Sequence, residues 1–274
     1  MTQKLKTTGF AFTGFIVYSA LRTIMPYMFR NYVTANLASC ILFIIIGGAY
    51  STVVIGPRVP FAETRKTVLL KSFAAVLIYC FVSMCTSTLM LNCLNDVNYC
   101  EQSAAYADLN KADMALSMIV SLTVAPICEE IVFRGCMYRF LSKLNKKAAM
   151  IISSFIFAAW HGTIVHMYAA FFGGLLFCVI YNKTGKLRYT MLAHMIFNAV
   201  TAVISCFRYP VFMASPWWVL SLNCLLLFTF LFLCDEPDAE VGAIVKELTD
   251  EEKRNREKTR QIVDEVLDEY KNKH

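Results

Sequence analysis

Two carboxylates and an arginine, Glu129, Glu130 and Arg134, stand in the stretch APICEEIVFRG at residues 125 to 135, inside an otherwise apolar run. Two further stretches carry histidine in the same kind of setting. FIFAAWHG places His161 at the end of an apolar run, and LAHMIFNAV holds His194 and Asn198 four residues apart. A carboxylate sheltered from water is a usable general base, histidine orients water or passes a proton to a leaving amine, and an amide N–H stabilises an oxyanion. Glu129, His161, His194 and Asn198 together have the parts of a hydrolytic site.

The elements that hold them are set by composition. With 57% hydrophobic residues, 17% charged residues and a mean hydropathy of +0.52, the chain exceeds what a soluble domain carries and belongs in a bilayer. Before Cys234 there are seven acidic residues against eighteen Lys and Arg, whereas residues 235–274 hold thirteen acidic and eight basic. The basic excess of the body is topological information and no sign of a nucleic-acid partner.

A span needs about 20 mostly apolar residues. Eight candidates satisfy this approximately: residues 9–29, 34–56, 68–91, 113–133, 148–161, 164–182, 189–207 and 212–234, the fifth being short and the first containing Arg22. The expected fold is all-α, a polytopic membrane bundle of about eight transmembrane helices. With both termini inside, twelve Lys and Arg fall in inner loops, among them Arg139, Lys143, Lys146, Lys147, Lys183 and Arg188, against Arg30, Lys111 and Arg208 outside. The positive-inside rule therefore predicts cytoplasmic termini, and the expected location of this multi-pass chain is the plasma membrane. No cleavable signal peptide stands out. Residues 1–234 read as one domain with its polar motifs in 113–207. Residues 235–274 read as a charged cytoplasmic tail, where Ile262, Val263, Val266, Leu267 and Tyr270 recur at helical spacing and suit a protein partner.

Depth then brings the polar residues together. Glu129 lies fourteen residues above Lys143, roughly 20 Å at 1.5 Å per residue, and His161 is at a similar height above Lys146. His194 and Asn198 stand about 9 and 15 Å beyond Arg188 on one helix face. An ionisable group at such depth costs about 2.5 to 3.5 kcal/mol even on lenient scales. Glu130 and Arg134, four apart, meet on one face and satisfy each other as a buried ion pair. Glu129 is turned about 100° away from that face and is left over. Pro126, lacking an N–H, loosens the helix beside it and makes room for water. His166 falls near the outer surface and reads as interfacial. Singly, each of these groups has a plainer explanation as a helix-packing hydrogen bond; as a set they point to chemistry.

Eleven cysteines form no CxxC pattern, and most lie within spans as small hydrophobes. Cys93 and Cys100, in the outer loop, are the two placed to pair in an oxidising compartment.

The motifs resemble those of the CPBP group, which comprises CAAX proteases and bacteriocin-processing (ABI-like) enzymes: EEIVFR is similar to EExxxR, FAAWH (Phe157 to His161) to FxxxH, and HMIFN (His194 to Asn198) to HxxxN. The resemblance covers about residues 113–207. It implies a glutamate-dependent intramembrane endopeptidase with a conical catalytic cavity, acting on membrane-associated peptides or proteins. Glu129 would activate water with His161, His194 and Asn198 would hold the oxyanion, and Glu130, Arg134 and Phe157 would support them. The family is often labelled metalloprotease, and Glu129 with His161 and His194 is a conceivable zinc set. HExxH is absent, however, and Asn198 suits hydrogen bonding better than ligation, so the expected site has no metal cofactor. Two other classes compete: a non-catalytic membrane regulator or bacteriocin self-immunity protein on the same fold, and a transporter, which would show repeated or broken helices.

Overall fold

The computed structural model describes residues 2–29, 31–54, 66–94, 109–206, 247 and 250–265. The chain divides into two compact units, Met1–Leu231 and Phe232–His274. Among the described residues of the first unit every regular element is helical: α1 (Thr2–Met28), α2 (Tyr32–Val54), α3 (Lys66–Leu94), α4 (Lys111–Leu141), α5 (Lys146–Ala159), α6 (Ile164–Thr184) and α7 (Leu187–Cys206). These match the first seven expected spans; the eighth, 212–234, lies outside the described residues. In the second unit residues 250–265 are helical and exposed throughout.

Four helices among the described residues are long and apolar enough to cross a membrane: Lys66–Leu91 of α3, α4, α6, and Leu187–Ile204 of α7. At 14 residues α5 is too short to cross alone. Large apolar side chains such as Ile45, Ile78, Phe81, Met118 and Phe155 face outward, which is costly in water and ordinary in lipid. The protein is an integral membrane protein built as an all-α bundle.

Caps set the helix starts. Asn110 Oδ1 accepts from Asp113 N–H at 2.9 Å to open α4, and Asn31 Oδ1 accepts from Val33 N–H at 2.8 Å to open α2. Asn31 Nδ2 also donates to Asp113 Oδ1 at 2.9 Å, so α2 and α4 begin at the same end of the bundle. Asn145 caps α5 through Ala148 N–H, and Thr163 caps α6 through His166 N–H. Gly185 ends α6 in the left-handed region, at φ 63°.

The central helix α4 is not uniform. Its hydrogen bonds widen to π spacing over Val120–Val124 and again over Ile131–Tyr138, leaving the six-residue α segment Ala125–Glu130 between them. Such π segments frequently interrupt helices at functional sites. The second is entirely buried. α1 packs on it closely enough that a Cβ at Gly14 would stand 3.0 Å from Cys136 Sγ.

Candidate active site

The buried ion pair forms as its spacing requires. Arg134 Nη1 donates to Glu130 Oε1 at 2.9 Å, and both side chains are fully buried. The guanidinium does more than neutralise a charge. Its Nη2 donates to Gly174 O on α6 at 3.0 Å, and its plane lies over the rings of Phe157, 4.5 Å away, and Phe177, 5.3 Å away. α6 can come this near because residue 174 has no side chain. A Cβ there would be 2.9 Å from Ser154 Cβ and 3.1 Å from Arg134 Nη2.

Glu130 is also bound to a histidine. Oε1 accepts from His194 Nδ1 at 3.0 Å, which fixes the ring and turns Nε2 toward Glu129, whose Oε2 is 3.7 Å away. The His194 ring stacks on Phe177, centroids 4.8 Å apart. Glu129 keeps 13% of its side-chain surface exposed, against none for Glu130. Of the adjacent carboxylates, one is thus consumed in a buried network and the other faces an accessible space.

His161 sits in the corner between α5 and α6. The chain reverses there through Gly162, whose φ of +75° suits a residue without Cβ. His161 Nδ1 meets Phe157 O at 2.8 Å. A carbonyl only accepts, so Nδ1 carries the proton and Nε2 is the free nitrogen. Phe157 presents its ring edge-on to both His161 and His194, at 4.7 and 5.8 Å between centroids. The short approach to Glu129 among the described residues is that of His194.

Asn198 stands one turn beyond His194 on α7, and its Nδ2 donates to Ser121 O on α4 at 2.9 Å. His166 is exposed in the first turn of α6. Cys93 is free and exposed, and Cys100 lies outside the described residues. Among the described residues no group of three or more His, Cys, Asp or Glu side chains is placed to hold a metal ion.

The N-terminal helices contribute polar groups that motif spacing does not disclose. Arg22 on α1 donates to Asn36 Oδ1 on α2, Tyr18 Oη lies 3.8 Å from Cys40 Sγ, and Cys128 Sγ donates to Cys40 O at 3.3 Å. The sequence signal for this cluster was a single arginine inside an apolar run, with Asn36 near the start of the next.

Residues 111–200 match the family model of Rce1-like proteins, described as type II CAAX prenyl endopeptidase Rce1-like. A segment of 105 residues is 32% identical to the Bacillus subtilis protein named "Putative membrane peptidase YdiL", covering 38% of this chain and 43% of that protein. A segment of 95 residues is 32% identical to an uncharacterized protein of Mycoplasma capricolum subsp. capricolum, covering 33% of this chain and 28% of that one. The matched segments span less than half the length of either relative. No solved structure matches.

Proposed function

We propose, for a chain that belongs through residues 111–200 to the CPBP family of CAAX-protease-like membrane proteins, an intramembrane endopeptidase that cleaves membrane-associated peptides or proteins with water activated by Glu129. One observation carries this reading. Glu130 is fully buried with its Oε1 held by both Arg134 and His194, while the neighbouring Glu129 keeps part of its surface exposed 3.7 Å from His194 Nε2. That separation is longer than a direct hydrogen bond and suits a bridging water.

In this scheme the water oxygen attacks the scissile carbonyl carbon as Glu129 takes its proton. His161, oriented by Phe157 O, holds the water through Nε2. The oxyanion is held by Asn198 Nδ2–H and by His194 Nε2–H when that ring is doubly protonated. The C–N bond then breaks as Glu129 returns the proton to the leaving amine. No step requires a metal. The charge pattern of the loops supports cytoplasmic termini and a site open to the cytoplasm; the membrane in this reading is the plasma membrane. On the tail helix, exposed Ile262 and Val263 offer an apolar pair to a protein partner.

The test is to incubate the full chain in liposomes with a library of membrane-associated peptides and to identify new termini by mass spectrometry, with and without a zinc chelator. Cleavage that survives chelation is expected. No cleavage by the wild type, with cellular function retained by Glu129→Gln, would favour a non-catalytic regulator.

A further inference from the structure

One backbone carbonyl of α4 has lost its place in the helix ladder. Over Val120–Val124 the hydrogen bonds run to the fifth residue, and Ala125 N–H reaches back to Val120 O. At α spacing that N–H would serve Ser121 O. At π spacing the donor to Ser121 O would come from position 126, which is Pro126 and has no N–H. Ser121 O therefore has no donor within its own helix at either spacing, in a setting where lipid supplies none. Asn198 Nδ2 fills the gap at 2.9 Å from a position 77 residues further along the chain.

We infer that Asn198 is a positioning residue: by donating to Ser121 O it fastens the helix that carries Glu129 to the helix that carries His194. Two features make the bond specific. Pro126 is three residues before Glu129, so the carbonyl it frees lies two turns from the base. Asn198 is four residues after His194, so the same turn of α7 presents the ring and the clamp. Asn198 has two amide hydrogens, and spending one on Ser121 O fixes the amide plane, leaving the other in a single orientation for the substrate. This deepens the hydrolytic reading and rests on it for the consequence to catalysis, whereas the fastening itself does not depend on it.

The test is a double-mutant cycle of Asn198→Ala and Pro126→Ala in the full chain, read by thermal unfolding in detergent and by peptide cleavage. Replacing Pro126 supplies an N–H at the spacing the π turn already uses, so it removes the need for the Asn198 donor. Asn198→Ala alone should lower the midpoint by about 2 to 4 °C, the scale of one lost hydrogen bond in a chain of this size, and should reduce cleavage. Adding Pro126→Ala should restore the midpoint, with an effect larger than in the wild-type background, and should raise cleavage above the Asn198→Ala level while leaving it below the wild type, because the oxyanion donor of Asn198 is still missing. Asn198→Ser replaces Asn198→Ala if the latter does not fold. Additive effects on the midpoint would overturn the inference. A restored midpoint with cleavage still at the single-mutant level would overturn the positioning role and leave Asn198 acting on substrate alone. If the wild type cleaves nothing, the hydrolytic reading fails while the thermal cycle still decides the fastening.

Discussion

Glu130 Oε1 lies 3.0 Å from His194 Nδ1 while the same oxygen accepts from Arg134 Nη1 at 2.9 Å. The ion pair is thus the anchor of a site histidine as well as a way to bury two charges. An arginine is suited to this because its fork reaches Glu130 and Gly174 O together.

Breaking the pair from one side should therefore damage fold and site, and removing both charges should separate the two. Glu130→Leu or Arg134→Met alone leaves an unpaired buried charge, at a cost of about 3 to 5 kcal/mol, and should express poorly. The double variant should regain part of the folded yield but little cleavage, because His194 Nδ1 has lost its acceptor. Folded yield, thermal midpoint and cleavage are the readouts; equal, mild losses in all three variants would argue against the coupling.

Gly174→Ala should be destabilising through contact alone. The added Cβ would stand 2.9 Å from Ser154 Cβ with Arg134 behind it, and overpacking of this kind costs about 1 to 3 kcal/mol. Ser154→Gly in the same chain should recover much of the loss in thermal midpoint. No recovery would mean that the clash lies elsewhere.

Gly162→Ala should act differently, since a Cβ there meets nothing within 4 Å and only the φ of +75° resists it. A cost of about 1 kcal/mol is expected. His161 immediately precedes this turn, so cleavage should fall further than stability, by about tenfold to a hundredfold if the ring moves on the order of 1 Å. Parallel small changes in both measurements would place His161 outside the chemistry.

What could be read from the sequence divides along physical lines. The Glu130–Arg134 pair was legible because i,i+4 spacing and the cost of buried charge act within one helix. The helices were legible because hydropathy over 20 residues responds to the bilayer. The two π segments of α4 were not, since a widened turn leaves no mark on composition beyond Pro126. The bond from Asn198 to Ser121 O and the second bond of Glu130 join elements remote in sequence, and the Arg22–Asn36 contact joins two separate helices. In those cases the residue types announced a need for a partner without saying which one. The different surroundings of Glu129 and Glu130 were visible as a difference of about 100° in facing; that His194 would lie within reach of both was not.

The central claim is that Glu129 is the general base, and Glu129→Gln tests it most directly because the amide keeps the shape of the carboxylate while losing the base. On a peptide cleaved by the wild type in liposomes, the variant should keep the wild-type thermal midpoint and lose cleavage by about 10² to 10⁴, the range for removal of a general base. Cleavage at the wild-type rate by folded Glu129→Gln protein would contradict the account.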